Sequence, residues 1–190
     1  MSVFQQLYLF LIPLLLSMGY FSISLSNGRA SGELKRGTPM KASVLFAATA
    51  FILLMAGNFA ATILERRIDD GGERTVLILF LLIGVRMLYH SWKKKAAFKV
   101  FDINQTPVIL ALSFAMGMNI LFAGVALQFL QLPPLRFGAI LTAMIWIFSF
   151  SGLLYGMQFK ESFGRKMEFI AGILLILAGF WFFQAALVTS

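Results

Sequence analysis

The sequence predicts an all-α membrane protein of six transmembrane helices, arranged as two inverted three-helix repeats. Three observations predict it. Hydrophobic residues make up 59% of the 190-residue chain, and its mean hydropathy is +0.86. Six apolar runs approach or exceed the roughly 20 residues that a helix needs to cross the bilayer core. The two halves also carry matched residues at a nearly constant spacing. The chain reads as a single polytopic membrane domain, 1–190, with halves of approximately 1–95 and 100–190. No stretch is left over for a soluble domain.

The first run covers 4–25. It resembles a signal peptide in length only, because no Lys or Arg precedes Arg29, so it is read as a retained span. A loop rich in Gly and charge, about 26–41, leads to the second run, 42–64. The second and third runs (the latter 75–92) contain ILLMAG and LILFLLIG, which lack the period-two alternation of a barrel strand. Lipid offers no partner to free backbone groups, so such runs must be helical. The third run holds Arg86, the only ionisable residue truly within a span. It sits about 10 Å below Lys93 at 1.5 Å per residue, and snorkelling to that interface accounts for it; the alternative is a functional role, binding an anionic substrate or pairing across the repeat. The fourth and fifth runs, 106–130 and 135–158, are joined by a short loop. The sixth, 168–188, opens on Glu168, which pairs with Arg165 at i, i+3. All eight acidic residues are thereby assigned to loops or helix ends.

Six spans place both termini on one side. The loops after the first, third and fifth spans hold eleven basic residues: Arg29, Lys35, Arg36, Lys41, Lys93, Lys94, Lys95, Lys99, Lys160, Arg165 and Lys166. The termini side holds four: Arg66, Arg67, Arg74 and Arg136. The positive-inside bias puts the eleven in the cytoplasm and both termini outside it. The net charge of +8 is therefore an orientation signal of a multi-pass membrane protein, scattered over short loops rather than gathered into a nucleic-acid patch. Lys93–Lys95 faces lipid headgroups on this reading.

Several chemistries lack their residues. Cysteine is absent and His90 is the sole histidine, which excludes disulfides, thiolate metal sites, bis-histidine haem ligation and histidine metal clusters. There is no P-loop, no Ser-His-Asp set and no pair of buried carboxylates. Neither an enzyme, an ATP-driven pump nor a resident cofactor is expected. The partners are the lipid bilayer and a metal ion or small solute. A second copy or a membrane protein partner is left open.

The halves repeat. Ser17-Met18-Gly19-Tyr20-Phe21 faces Gly117-Met118-Asn119-Ile120-Leu121 at an offset of 100, while Gly57 pairs with Gly152 and Gly84 with Gly179 at 95. The five-residue slip falls between the first and second spans of each half, where the second half has the shorter loop. Three spans per half force opposite orientations, an arrangement of secondary transporters whose site lies near the midplane between the halves. Gly19 and Asn119 stand at equivalent mid-span positions and mark the candidate substrate or ion path. Asn119 is the sharpest candidate, as a contact to cargo or as an interhelical hydrogen bond. Ser17 and Ser24 share a helix face and line a polar path, unless their hydroxyls bond back to their own helix. Met18 and Met118 are soft-ligand candidates against a background of gap-filling methionine. Gly152 and Gly156 allow close helix packing, within the chain or to a second copy.

The stretch Leu16-Ser17-Met18-Gly19-Tyr20-Phe21, continuing to Asn27-Gly28, resembles the opening motif of MntP-type manganese exporters in the LysE-like superfamily. Ile83-Gly84-Val85-Arg86-Met87, Gly152-Leu153-Leu154-Tyr155-Gly156 and Arg165-Lys166-Met167-Glu168 with Gly172 and Gly179 resemble that family's later motifs, in order. The resemblance implies six spans, outward termini, a place in the bacterial inner membrane, and secondary manganese or divalent cation efflux. It also implies a degenerate ion site, since Gly19 and Asn119 stand where the family carries intramembrane Asp, and Ala50 where it carries Glu or Gln. Manganese(II) prefers oxygen ligands, above all carboxylates. The alternatives are an exporter of a small neutral or zwitterionic solute, or a non-transporting membrane subunit or scaffold.

Overall fold

Each apolar run folds as one helix, since a span that meets lipid must satisfy its backbone groups internally. The computed structural model describes residues 3–30, 37–65, 72–93, 103–156, 158 and 161–189. Its helices are α1 Val3–Ala30, α2 Thr38–Glu65, α3 Gly72–Lys93, α4 Thr106–Phe129, α5 Pro134–Tyr155 and α6 Glu161–Thr189. All six are long and apolar enough to cross a membrane, and no strand occurs among the described residues. Arg66, Arg67, Asp69 and Asp70, together with Lys35, Arg36, Lys94, Lys95, Lys99 and Lys160, lie outside the described residues.

Several helices overrun their apolar cores, and at α6 the overrun matters. The helix begins at Glu161, seven residues before the apolar run, because the polar segment Ser162 to Lys166 continues its backbone hydrogen bonding. Glu168 is therefore two turns inside α6 and only 1% exposed, rather than at a solvated helix start. The α4–α5 connection is set just as locally. The Gln131 amide donates to the Gln128 carbonyl and the Leu132 amide to the Leu127 carbonyl, at 3.1 and 3.3 Å. With Gln131 at φ 51° this is a Schellman turn. Pro133 and Pro134 then open α5, where proline's fixed φ and missing donor are tolerated.

The helices pack as α1 with α5, α2 with α4 and α3 with α6, joined by α2–α5, α1–α6 and α3–α4 contacts. α1 and α5 run parallel. A Cβ on Gly152 would meet the Ser24 Cβ at 2.9 Å, the Phe21 carbonyl at 3.0 Å and the Leu25 amide at 3.1 Å. One turn later Gly156 lies against Leu25, Gly28 and Arg29, so both glycines serve packing within the chain. α2 and α4 are also parallel: Gly57 lies against the Leu121 carbonyl and the Val125 amide, and Gly124 against Leu54 and Asn58. Nearer their starts, Thr38 Oγ1 donates to Asn104 Oδ1 at 3.0 Å and Lys41 Nζ to Thr106 Oγ1 at 2.6 Å. α3 and α6 are antiparallel, with Gly84 against Gly172 and Ile176, Gly179 against Phe80, and Ser91 Oγ donating to the Arg165 carbonyl at 2.8 Å.

Tyr20, Phe46, Phe80, Phe137 and Leu54 fill the interior. Large apolar side chains such as Phe59, Leu135 and Trp181 cover the outside, a surface suited to lipid and not to water.

Candidate functional site

Arg86 is half-buried on α3 and does not snorkel to the nearby interface. Its guanidinium turns across to α4, where Nη1 donates to Asn119 Oδ1 and Nη2 to the Ala115 carbonyl, each at 3.0 Å. Ala115 and Asn119 are one turn apart, so both acceptors lie on one face of α4. A guanidinium near a helix centre in lipid costs about 2.5–3.5 kcal/mol on insertion scales. Two charge-assisted hydrogen bonds offset that cost, which is why the side chain turns inward. The bond joins the first three helices to the last three.

Around this pair lies a crevice of about 10 Å³, lined by Arg86, Met87, His90, Ala115, Met116, Asn119 and Glu168. It has room for about one water molecule. Glu168 of α6 lines the same space; neither it nor His90 is without a partner. Gly19 of α1 lies against two of the lining methionines. A Cβ there would lie 3.2 Å from the Met116 Cε and 4.0 Å from the Met87 Cε. The space that a side chain at Gly19 would take is thus occupied by two methionine methyl groups.

The other sequence candidates separate. Ser17 Oγ donates to the Leu14 carbonyl at 2.7 Å, so its hydroxyl is spent on its own helix. Ser24 is buried at the α1–α5 crossing, and its Oγ has no hydrogen-bond partner; neither do Ser149 Oγ and Tyr20 Oη. Ser149 lies one turn before Gly152, which touches Ser24. Tyr20 packs edge-on against Phe46, with ring centroids 5.8 Å apart. Met18 is half-buried against the core and Met118 faces outward, 42% exposed. The methionines that meet Gly19 are Met87 and Met116 instead.

Of the residues lining the crevice, sequence reasoning singled out Asn119 and set Arg86 at the interface and Glu168 at a helix start. Arg86 was legible as an intramembrane charge and Asn119 as a mid-span polar group, but not that the two would meet, though polar groups within a bilayer seek each other. Glu168 was masked because hydropathy marks where the apolar run begins, not where the helix does.

Among the described residues no group of three or more His, Asp and Glu side chains forms a metal-binding cluster. A hard cation in the crevice would draw on the Glu168 carboxylate, Asn119 Oδ1, the Ala115 carbonyl and water, the oxygen donors such ions prefer. An anionic group would meet the Arg86 guanidinium, suited to bidentate recognition.

A family model described as "Mntp: Putative manganese efflux pump" matches residues 33–183 of the chain. Proteins named "Putative manganese efflux pump MntP" are similar over most of its length. The one from Crocosphaera subtropica is 27% identical over 159 residues, 84% of this chain and 85% of its own. That from Methanocorpusculum labreanum is 27% identical over 167 residues, 88% and 89% of the two chains. That from Methanosphaera stadtmanae is 25% identical over 170 residues, 90% and 94%. No solved structure matches the chain.

Proposed function

The chain belongs to the Mntp family, and from that premise we propose that it is a secondary efflux transporter for a divalent cation, manganese(II) first, acting through a charge-compensated site. The cargo site is the crevice where Asn119, Glu168 and Arg86 converge beside Gly19. The carrying observation is the Arg86–Asn119 hydrogen bond, which ties the two halves together at the depth where a carrier's site is expected.

Alternating access between inverted halves is supported by the register of the glycine contacts. Gly57 meets the Leu121 carbonyl and the Val125 amide; Gly152 meets the Phe21 carbonyl and the Leu25 amide. Exchanging the halves at the offsets of 95 and 100 converts one contact set into the other. It also exchanges the α1–α5 packing with α2–α4, and α1–α6 with α3–α4. A crevice this small must widen to pass a hydrated ion. The buried hydroxyls of Tyr20, Ser24 and Ser149 would gain water as it does. The basic loop set faces the cytoplasm, so that efflux runs toward the side of the termini.

A second reading has its own observation. A guanidinium and a carboxylate line the same crevice, which would suit the carboxylate and ammonium ends of a small zwitterionic solute as well as a metal ion.

The test is growth in toxic manganese of a bacterium lacking its own exporter, with the chain expressed and its membrane insertion verified. Restored tolerance with lowered cell manganese is the expected result. A well-inserted protein that leaves both unchanged would overturn manganese efflux and leave the zwitterion reading to be tried.

A further inference from the structure

The crevice contains a puzzle: a fixed cation sits where a cation is to be carried. Arg86 holds two of the oxygens that a metal ion would need, Asn119 Oδ1 and the Ala115 carbonyl. Glu168, buried to 1% exposure two turns into α6, lines the same small space.

We infer that Arg86 is a tethered resident cation of the transport site, occupying in the unloaded protein the oxygens of Asn119 and Ala115 that cargo takes in the loaded one, with Glu168 as the anionic ligand. This rests on the divalent-cation reading above. Cargo binding is then an exchange. The ion enters from water, the guanidinium leaves its two acceptors, and Glu168 supplies the anionic ligand. The side chain has somewhere to go, because Arg86 is only half-buried and lies about 10 Å from the end of α3, within snorkelling reach of the interface. The exchange also gives Gly19 a role. With no side chain there, the groups nearest the space over Gly19 are the flexible ends of Met87 and Met116, which an arriving ion can displace.

The exchange weakens affinity, because each ion bound must break the guanidinium's bonds. Removing the charge while keeping a polar side chain should therefore tighten binding. The experiment measures manganese(II) binding to the full chain in detergent, from loss of the free-ion EPR signal, for the wild type, Arg86→Gln, Arg86→Lys, and Arg86→Gln combined with Glu168→Gln. Circular dichroism and gel filtration establish that each variant is folded. We expect Arg86→Gln to bind about tenfold tighter or more, the scale set by removing one like charge from a partly buried site. Arg86→Lys should stay near the wild type, and the double variant should lose the gain. A folded Arg86→Gln that binds no tighter than a binding-competent wild type overturns the resident cation and leaves the divalent reading standing. No manganese binding by the wild type or by Arg86→Gln overturns both.

Discussion

Asn119 offers one side-chain oxygen to the guanidinium, and the consequence is measurable. Asn119→Ala leaves Arg86 Nη1 short of an acceptor in a region with little water. Hydrogen bonds to charged groups contribute about 1.5–3 kcal/mol, so this variant should unfold at a clearly lower temperature in detergent. Asn119→Asp, which turns the bond into an ion pair, should not. An unchanged midpoint for Asn119→Ala would show that the contact contributes nothing. Gly19 contrasts with it. An added methyl there meets the mobile end of Met116 at 3.2 Å, while alanine is favoured over glycine inside a helix by about 1 kcal/mol. Gly19→Ala should therefore change stability by less than about 1 kcal/mol, measured in the same way. Mid-span polar and small residues are conspicuous in an apolar chain, which is why Asn119 and Gly19 could be singled out from sequence. The direction of Arg86 could not, because a long side chain at that depth has an interface and a neighbouring helix both within reach, and only the packing of α3 on α4 decides between them.

At the scale of the helix, glycines set the closest approaches. Gly57 and Gly152 each place a helix backbone against the carbonyl and amide of its partner. A side chain there meets backbone, which cannot move aside as a methionine methyl can. Gly57→Val and Gly152→Val are each expected to abolish monodisperse protein in gel filtration, whereas Ala111→Leu, on the exposed face of α4, should be tolerated. Normal behaviour of both glycine variants would mean that the parallel crossings are not as close as described. Helix number and order were legible in hydropathy because the bilayer imposes a minimum apolar length. Helix ends were less so: α6 starts at Glu161 and α1 reaches Ala30, since a helix can continue into the interface after its apolar core stops. That continuation placed Glu168 inside the bundle.

For the whole molecule, the packing order and the charge distribution bear on separate questions. The exchange of helix pairs under the repeat offsets bears on how the halves move. The basic bias of alternate loops bears on which way the molecule faces. The absence of cysteine makes the second directly testable: Gln131→Cys, in the α4–α5 turn, should react with an impermeant maleimide in intact cells. Gly37→Cys, before α2, should react only after the membrane is opened. The reverse pattern would invert the direction proposed for transport. The central claim is that cargo crosses by way of Glu168 and Asn119. Its most direct test is manganese(II) flux into proteoliposomes holding the wild type or Glu168→Gln at equal, verified insertion. The account predicts flux above protein-free vesicles for the wild type and its near-complete loss in Glu168→Gln; equal flux from the two proteins would contradict it.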